Sequence, residues 1–307
     1  MNYETFNNAS LVLSLLEDMF VENEEDKNKL LRQLDFTEEE FNDIINEKVE
    51  PDKYQLESIF NYAYNHNLDI NEIIWQYRLD EFRNDSVNVC SHGSRRNIVG
   101  DIRVDIESDS SDFGSGFYVG QDISQAGMWV AGEPDSSIYI FSFDESDLTK
   151  AHFNVGVDWM IAICYFRNMI PQYANHPKVQ EILNRVNNCD YVLAPIADNK
   201  LYEVIESFVN EEITDLQCLY ALSATHLGYQ FVLKTEKAVQ NLELLDHLYF
   251  CAVEKSMYNR ESDVEENTSL HKAFMAKKRY KDTGKYISEL LGDSYDSWIK
   301  EGLYNRI

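Results

Sequence analysis

An α+β protein preceded by a small all-α domain is what this sequence predicts, and three observations support the prediction. Through the first eighty or so residues apolar side chains recur at spacings of three and four, the period of a helix buried on one face. From Asp85 onward short runs rich in Val, Ile, Tyr and Phe alternate with Ser, Asn, Asp and Gly, the pattern of strands and turns. The composition, 44% hydrophobic and 13% aromatic with five prolines in 307 residues, supplies a proper core and room for one large domain or two modest ones. The expected division is a helical domain over residues 1–84 and a mixed domain over 85–307 with a helical tail.

The apolar sets Val12, Leu15, Leu16, Met19; Leu56, Ile59, Phe60, Ala63; and Ile70, Ile73, Ile74, Tyr77 place helices near 9–22, 25–34, 37–46, 54–67 and 69–82. Thr37 with Glu40 and Asp69 with Glu72 have the spacing at which two side chains satisfy each other's free backbone donors at a helix start. Strands are expected near 87–91, 116–119, 138–143, 191–196 and 230–234. Between them, Val179, Ile182, Leu183 and Val186 mark one helix, and Leu201, Val204, Ile205 and Phe208 another. Thr214 with Gln217 starts a further one. The polar, acidic segment 260–268 reads as an exposed loop, and the tail from His271 as helix.

The formal charge of −27 repels polyanions, which disfavours nucleic acid and anionic membrane as partners and favours a basic protein surface. The longest apolar stretch, 155–166, contains Asp158 and is far shorter than the ~20 residues of a membrane span. Residues 1–4 have no basic residue and lead into no signal-like run, so a cytoplasmic location is expected. The five cysteines are scattered without CxxC spacing, which predicts reduced thiols, no disulfide framework and no metal site. His152, His176, His226 and His247 have no partner at metal-ligand spacing and are expected as ordinary surface or core histidines.

Thr37–Asn46 followed by a turn and Pro51 resembles the recognition-helix position of the helix-turn-helix domain in phage-repressor-like regulators. A recognition helix needs Lys, Arg, Asn or Gln on its exposed face, and this one offers Glu38, Glu39, Glu40, Asp43 and Glu47. Residues 1–85 hold 7 basic against 21 acidic side chains. The expectation is a helical module for packing or protein contact that binds no DNA directly.

Chemistry concentrates in the second region. Cys90-Ser-His-Gly-Ser94 is followed by Asp112-Phe-Gly-Ser-Gly-Phe-Tyr118, then by Asp190-Tyr-Val-Leu-Ala-Pro-Ile-Ala-Asp198 and Gly228-Tyr-Gln-Phe-Val-Leu-Lys-Thr-Glu-Lys-Ala238. In this order the segments resemble the His-Gly-Ser and Gly-x-Gly-x-Tyr elements of ADP-ribosyltransferases of the diphtheria-toxin and poly(ADP-ribose)-polymerase class. They are most similar to a bacterial branch of unknown-function domains in that superfamily, often encoded beside small antitoxin-like proteins. The resemblance spans roughly residues 87–245.

The resemblance implies a split, strongly bent β-sheet with flanking helices that takes NAD as co-substrate and needs no metal. On that pattern His92 hydrogen-bonds the adenosine-side ribose with Ser94 beside it, and the Gly93 backbone holds the nicotinamide carboxamide. Tyr118 stacks on the nicotinamide ring, with Phe117 preceding it in the same NAD-binding element. Gly114 and Gly116 let the backbone approach the ligand. Arg95 and Arg96, a rare basic pair in an acidic chain, suit either the NAD pyrophosphate or a solvated turn. The alternative for His92 is a loop histidine.

The third catalytic position departs from the polymerase pattern, with Gln230 where a glutamate is usual. An amide stabilises oxocarbenium-like charge less than a carboxylate and cannot act as general base, although it can bond a ribose hydroxyl. Single transfer to an already nucleophilic acceptor, or NAD hydrolysis, is therefore favoured over chain elongation. Glu236, if the strand ran on, would share that face about 20 Å away, too far to help. The function implied is an intracellular mono-ADP-ribosyltransferase, the toxic or effector half of a toxin–antitoxin or phage-defence pair, with a protein acceptor. Two alternatives remain open: an NAD- or ADP-ribose-binding pseudoenzyme or interaction protein, and a transcriptional regulator.

Overall fold

The computed structural model describes residues 6, 8–83, 85–105, 111–197, 202–223, 228–281 and 283–292. Five helices come first: α1 (Ala9–Phe20), α2 (Glu24–Leu34), α3 (Glu38–Ile45), α4 (Lys53–Asn65) and α5 (Ile70–Glu81). Then follow β1 (Val87–Ser94), β2 (Phe117–Gly120), α6 (Ile123–Val130), β3 (Ser137–Asp144), β4 (Lys150–His152), α7 (Val157–Phe166) and α8 (Pro177–Asn187). The chain continues through β5 (Tyr191–Pro195), α9 (Tyr202–Val209), α10 (Asp215–Ser223), β6 (Tyr229–Leu233), α11 (Glu236–Gln240) and β7 (Leu242–Tyr249). The last described elements are α12 (Ala252–Arg279) and α13 (Ile287–Leu290). This is a mixed α+β architecture, and it forms two compact units, each discontinuous in sequence.

The first unit comprises Met1–Ile102, Val119–Ser146 and Gln240–Ser262. Its sheet centres on β3, which pairs antiparallel with β1 along its whole length and with β7 on the other side. Ser91 of β1 also pairs with Gly120 at the end of β2. All of β3 but Asp144 is buried, as a central strand covered on both faces requires. The helix-to-strand change falls between Glu81 and Val87, beside the expected boundary, yet the core does not divide there. Phe60, Ile74 and Trp75 of the helices belong to the same apolar cluster as Val89, Ile138, Ile140 and Leu248 of the strands. Polar ties join the same elements: Asn71 Nδ2 donates to the Tyr249 carbonyl at 2.9 Å, and Arg78 pairs with the buried Asp246.

The second unit comprises Arg103–Tyr118, Asp147–Val239 and Asp263–Ile307. Here β4 runs parallel to β5, and β5 antiparallel to β6. The apolar stretch the sequence marks is α7, with Trp159 to Cys164 all buried at the centre of this unit's core. Among the described residues no helix is long and apolar enough to cross a membrane.

Several expectations are corrected. Segment 260–268 is not a loop but the middle of α12, whose sequence from Ala252 to Arg279 contains neither Gly nor Pro to stop a helix. Glu236 lies at the start of α11 rather than on a strand, because β6 ends at Leu233. The Thr37–Glu40 capping box forms, and Thr214 and Gln217 bond reciprocally. Asp69 makes no cap bond, since its ψ of 71° lies away from the extended conformation a capping residue adopts. An unpredicted capping box is Asp52 with Gln55. Two strands have no sequence signal as read above: β4, with only three residues, and β7, whose Leu-Glu-Leu-Leu-Asp-His run becomes strand by pairing with β3.

Candidate functional site

His92, Gly93, Ser94, Arg95 and Arg96 belong to the first unit and Gly114, Gly116, Phe117, Tyr118 and Gln230 to the second, so the predicted residues form two groups.

In the first group His92 stands on β1 opposite Tyr139 of β3, with ring centroids 6.5 Å apart. Tyr139 stacks in turn on the buried His247 at 4.1 Å, and His247 Nε2 meets Ser137 Oγ at 2.9 Å. Gly93 has a packing reason to be glycine: a Cβ there would stand 2.3 Å from the Ala126 carbonyl oxygen of α6. Ser94 Oγ donates to the Arg96 carbonyl, which folds the segment into a tight local turn. Arg95 is well exposed and lies 3.5 Å from Glu133. His176 caps α8 by accepting the Lys178 N–H; His226 lies outside the described residues, as does Asp198 of the third motif segment.

In the second group a single loop, 112–118, is fastened at three points. At its start Asp112 is buried and accepts four hydrogen bonds. Arg167 donates to Oδ1 from Nε at 3.0 Å and from Nη2, while Oδ2 takes the Ala197 N–H at 3.1 Å and Gln230 Nε2 at 3.0 Å. Burial pushes the Asp112 carboxyl above its usual range, opposed by Arg167, the Ala197 N–H and Gln230. Four donated hydrogen bonds, two of them from the Arg167 guanidinium, match the ionised carboxylate, which is all acceptor.

In the middle of the loop, Lys234 Nζ donates to the carbonyls of Phe113 (2.7 Å) and Ser115. Burial pushes this ammonium down to about 8. At the end, the Tyr118 hydroxyl donates to the Gly114 carbonyl at 2.7 Å and accepts the Phe113 N–H at 3.2 Å. Burial pushes the phenol well above its usual range, and the side chain packs against the unit's core. Gly114 has φ +73°, which a side chain would strain, and its Cβ would also press the Phe166 ring at 3.0 Å. Phe117 is buried.

Gln230, on β6, is 7% exposed. Its Nε2 points to Asp112 and, more distantly, to the Pro195 carbonyl at 3.4 Å, which also accepts the Trp159 indole N–H at 3.0 Å. The fold thus unites the glycine loop with Gln230, 118 residues downstream of Asp112. Sequence reasoning assigned no role to Asp112, Arg167 or Lys234. A detectable signal was Arg167 at the C-terminal end of α7, just past its buried run, where a guanidinium needs a carboxylate partner.

Among the described residues no cluster of His, Cys, Asp and Glu could hold a metal ion. All five cysteines are buried free thiols, and burial pushes Cys164 and Cys251 up to about 12, far from a reactive thiolate.

No curated protein and no solved structure matches the chain. The family described as a protein of unknown function (DUF3990) matches residues 89–244, half of the chain from β1 into β7, and the chain belongs to that family.

Proposed function

We propose that the chain is an NAD-dependent mono-ADP-ribosyltransferase of the toxin or phage-defence effector kind, acting on a protein acceptor and binding no DNA directly. The observation behind this reading is the union of the Gly114–Gly116 loop with Gln230 through Asp112, because it joins two separate segments of the sequence resemblance around one buried network. In the reaction the nicotinamide–ribose bond breaks, nicotinamide leaves with the bonding electrons, and an acceptor nucleophile forms the new bond to the ribose carbon while losing its proton. Gln230 accepts a hydrogen bond from the adjoining ribose hydroxyl and places the negative end of its amide dipole near the developing charge. His92, Ser94, Arg95 and Arg96 serve the ribose and pyrophosphate side. Gly114 and Gly116 shape the loop that Phe117 and Tyr118 complete. The packing role of Gly93 is compatible with a carboxamide contact, since that contact uses backbone atoms only.

A second reading, an NAD- or ADP-ribose-binding protein without turnover, is favoured by two features. Gln230 is neutral, and the Tyr118 hydroxyl is already committed to its own loop. Incubation with labelled NAD and cell extract separates the two. Label entering protein is the expected result, and stoichiometric binding without label transfer or free ADP-ribose would replace the first reading with the second. Absence of binding would remove both. His92→Ala and Tyr118→Phe refine the test: loss of NAD affinity is expected for His92→Ala, and loosening of the loop for Tyr118→Phe. Tyr118→Ala is less informative, because that ring also contributes to packing.

A further inference from the structure

We infer that Asp112 is a positioning residue that decides which end of the Gln230 amide a ligand meets, and that the end offered is the acceptor, Oε1. The assignment of that ligand as a ribose hydroxyl rests on the NAD reading above; the orientation of the amide does not.

A glutamine amide has two ends of nearly equal shape and opposite polarity, so its neighbours decide how it lies. Here both neighbours are acceptors. Asp112 Oδ2 stands 3.0 Å from Nε2 and the Pro195 carbonyl oxygen 3.4 Å away. Reversal of the amide would set Oε1 against a carboxylate oxygen at that short distance. Asp112 is itself unable to turn the relation round, because Arg167 and the Ala197 N–H fill its remaining acceptor positions with donors. The Pro195 carbonyl is likewise held in place by the Trp159 indole.

Oε1 is left over. No described residue donates to it, and it is not among the buried side-chain atoms lacking a partner, which are Asn71 Oδ1 and Gln125 Oε1. It therefore keeps contact with solvent and can receive an O–H or N–H donor. The carboxylate behind the amide draws its N–H protons and leaves more negative charge on Oε1 than an isolated amide would have. A neutral side chain so polarised reproduces part of what a carboxylate does toward a hydroxyl or a neighbouring cationic carbon, without the desolvation cost of a second buried charge. Asp112 touches no ligand in this arrangement; it acts through Gln230.

Asp112→Asn inverts the instruction. Arg167 retains the Asn carbonyl oxygen, the Asn NH2 takes the place of Oδ2 and so gives up the Ala197 N–H as it turns toward Gln230, and the glutamine amide flips to present its donor end. Adding Gln230→Glu to that variant restores an outward acceptor, since one carboxylate oxygen can accept from the Asn NH2. With NAD as substrate, Asp112→Asn should lower kcat roughly 10²-fold with little change in KM. The double variant should recover to within about tenfold of wild type, the equivalent of a single lost hydrogen bond. A double variant as impaired as Asp112→Asn overturns the proposal.

A second readout needs no NAD. The side-chain amide protons of Gln230, assigned in an ¹⁵N spectrum by their loss in Gln230→Glu at pH 5, should exchange slowly with solvent in the wild type and rapidly in Asp112→Asn. Fast exchange in the wild type, or slow exchange in both, overturns the orientation regardless of NAD. The slow-to-fast change without NAD binding by the wild type would uphold the orientation and remove the NAD reading.

Discussion

Gln230→Glu is the substitution that the resemblance invites, since a carboxylate there would best stabilise oxocarbenium charge and, on the proposed function and considered alone, would keep or raise NAD hydrolysis. The surroundings of Gln230 change that expectation. The new carboxylate would replace a donor that sits 3.0 Å from Asp112 Oδ2. With charge centres about 4 Å apart and an effective dielectric near 20, the repulsion is about 4 kcal/mol, or about three pKa units. The pair therefore holds one proton between its members, and its upper pKa rises from about 4.3 to about 7. A folded-state pKa raised above the unfolded value means that the variant keeps its stability below about pH 4 and loses it as pH rises, with the loss complete above about pH 7. At pH 8 its melting temperature should lie roughly 10 °C below wild type, and at pH 4.5 close to it. Adding Asp112→Asn should flatten this pH dependence. Thermal unfolding of the wild type and both variants at the two pH values provides the assay. Equal destabilisation at both would point to packing rather than charge, and no destabilisation at either would refute the Asp112–Gln230 contact itself.

Three further outcomes follow from other parts of the molecule. Glu254 is buried beside Tyr64, with Asn71 Nδ2 at 2.7 Å, and burial pushes its carboxyl up to about 8; Asp69 adds to the rise and Lys255 opposes it. Folding thus favours its protonated form, and stability is lost between about pH 4.5 and 8. Glu254→Gln should match wild type near pH 4 and exceed it at pH 9 by up to about 4 kcal/mol, measured by urea unfolding; equal differences at both pH values would contradict this. Gly93→Ala drives a methyl against the Ala126 carbonyl and should cost about 1–3 kcal/mol, with an unchanged unfolding midpoint ruling out so close an approach of β1 and α6. The full chain, at net charge −27, should show no salt-sensitive binding to duplex DNA at physiological salt, and sub-micromolar binding to a defined operator would refute that.

The helices of the first eighty residues were legible because each has a buried stripe at helical spacing, although Met19, Ile73 and Tyr77 of the expected sets stand exposed; of the two start signals read there only Thr37–Glu40 forms, yet observed ends fall within two residues of those expected. Five strands were legible for a similar reason, being rich in β-branched and aromatic residues between polar turns. β7 was not, because Leu, Glu, Asp and His do not favour a strand on their own and the β3 edge imposes the conformation. α12 was missed for the opposite cause: its middle is polar enough to resemble a loop, and only the absence of Gly and Pro over 28 residues betrays the helix. The shared core of helices and strands in the first unit is a matter of three-dimensional packing, which periodicity along the chain does not encode.

The candidate site divides along the same line. Glycines and aromatic residues at fixed spacing mark the loop 112–118 in sequence, because local backbone conformation needs them locally: Gly114 at φ +73° and Tyr118 bonded back to Gly114 are contacts within five residues. What holds the loop in place comes from far away. Arg167 meets Asp112 across 55 positions and Gln230 across 118, so neither partnership leaves a spacing pattern. The polarity of the Gln230 amide shows why this matters chemically. In sequence Gln230 is a neutral amide with either end available. Beside an ionised Asp112 only one end remains available, and that end is the acceptor. A glutamate placed at 230 would set a second carboxylate against Asp112 and would need a donor at 112 in place of Asp.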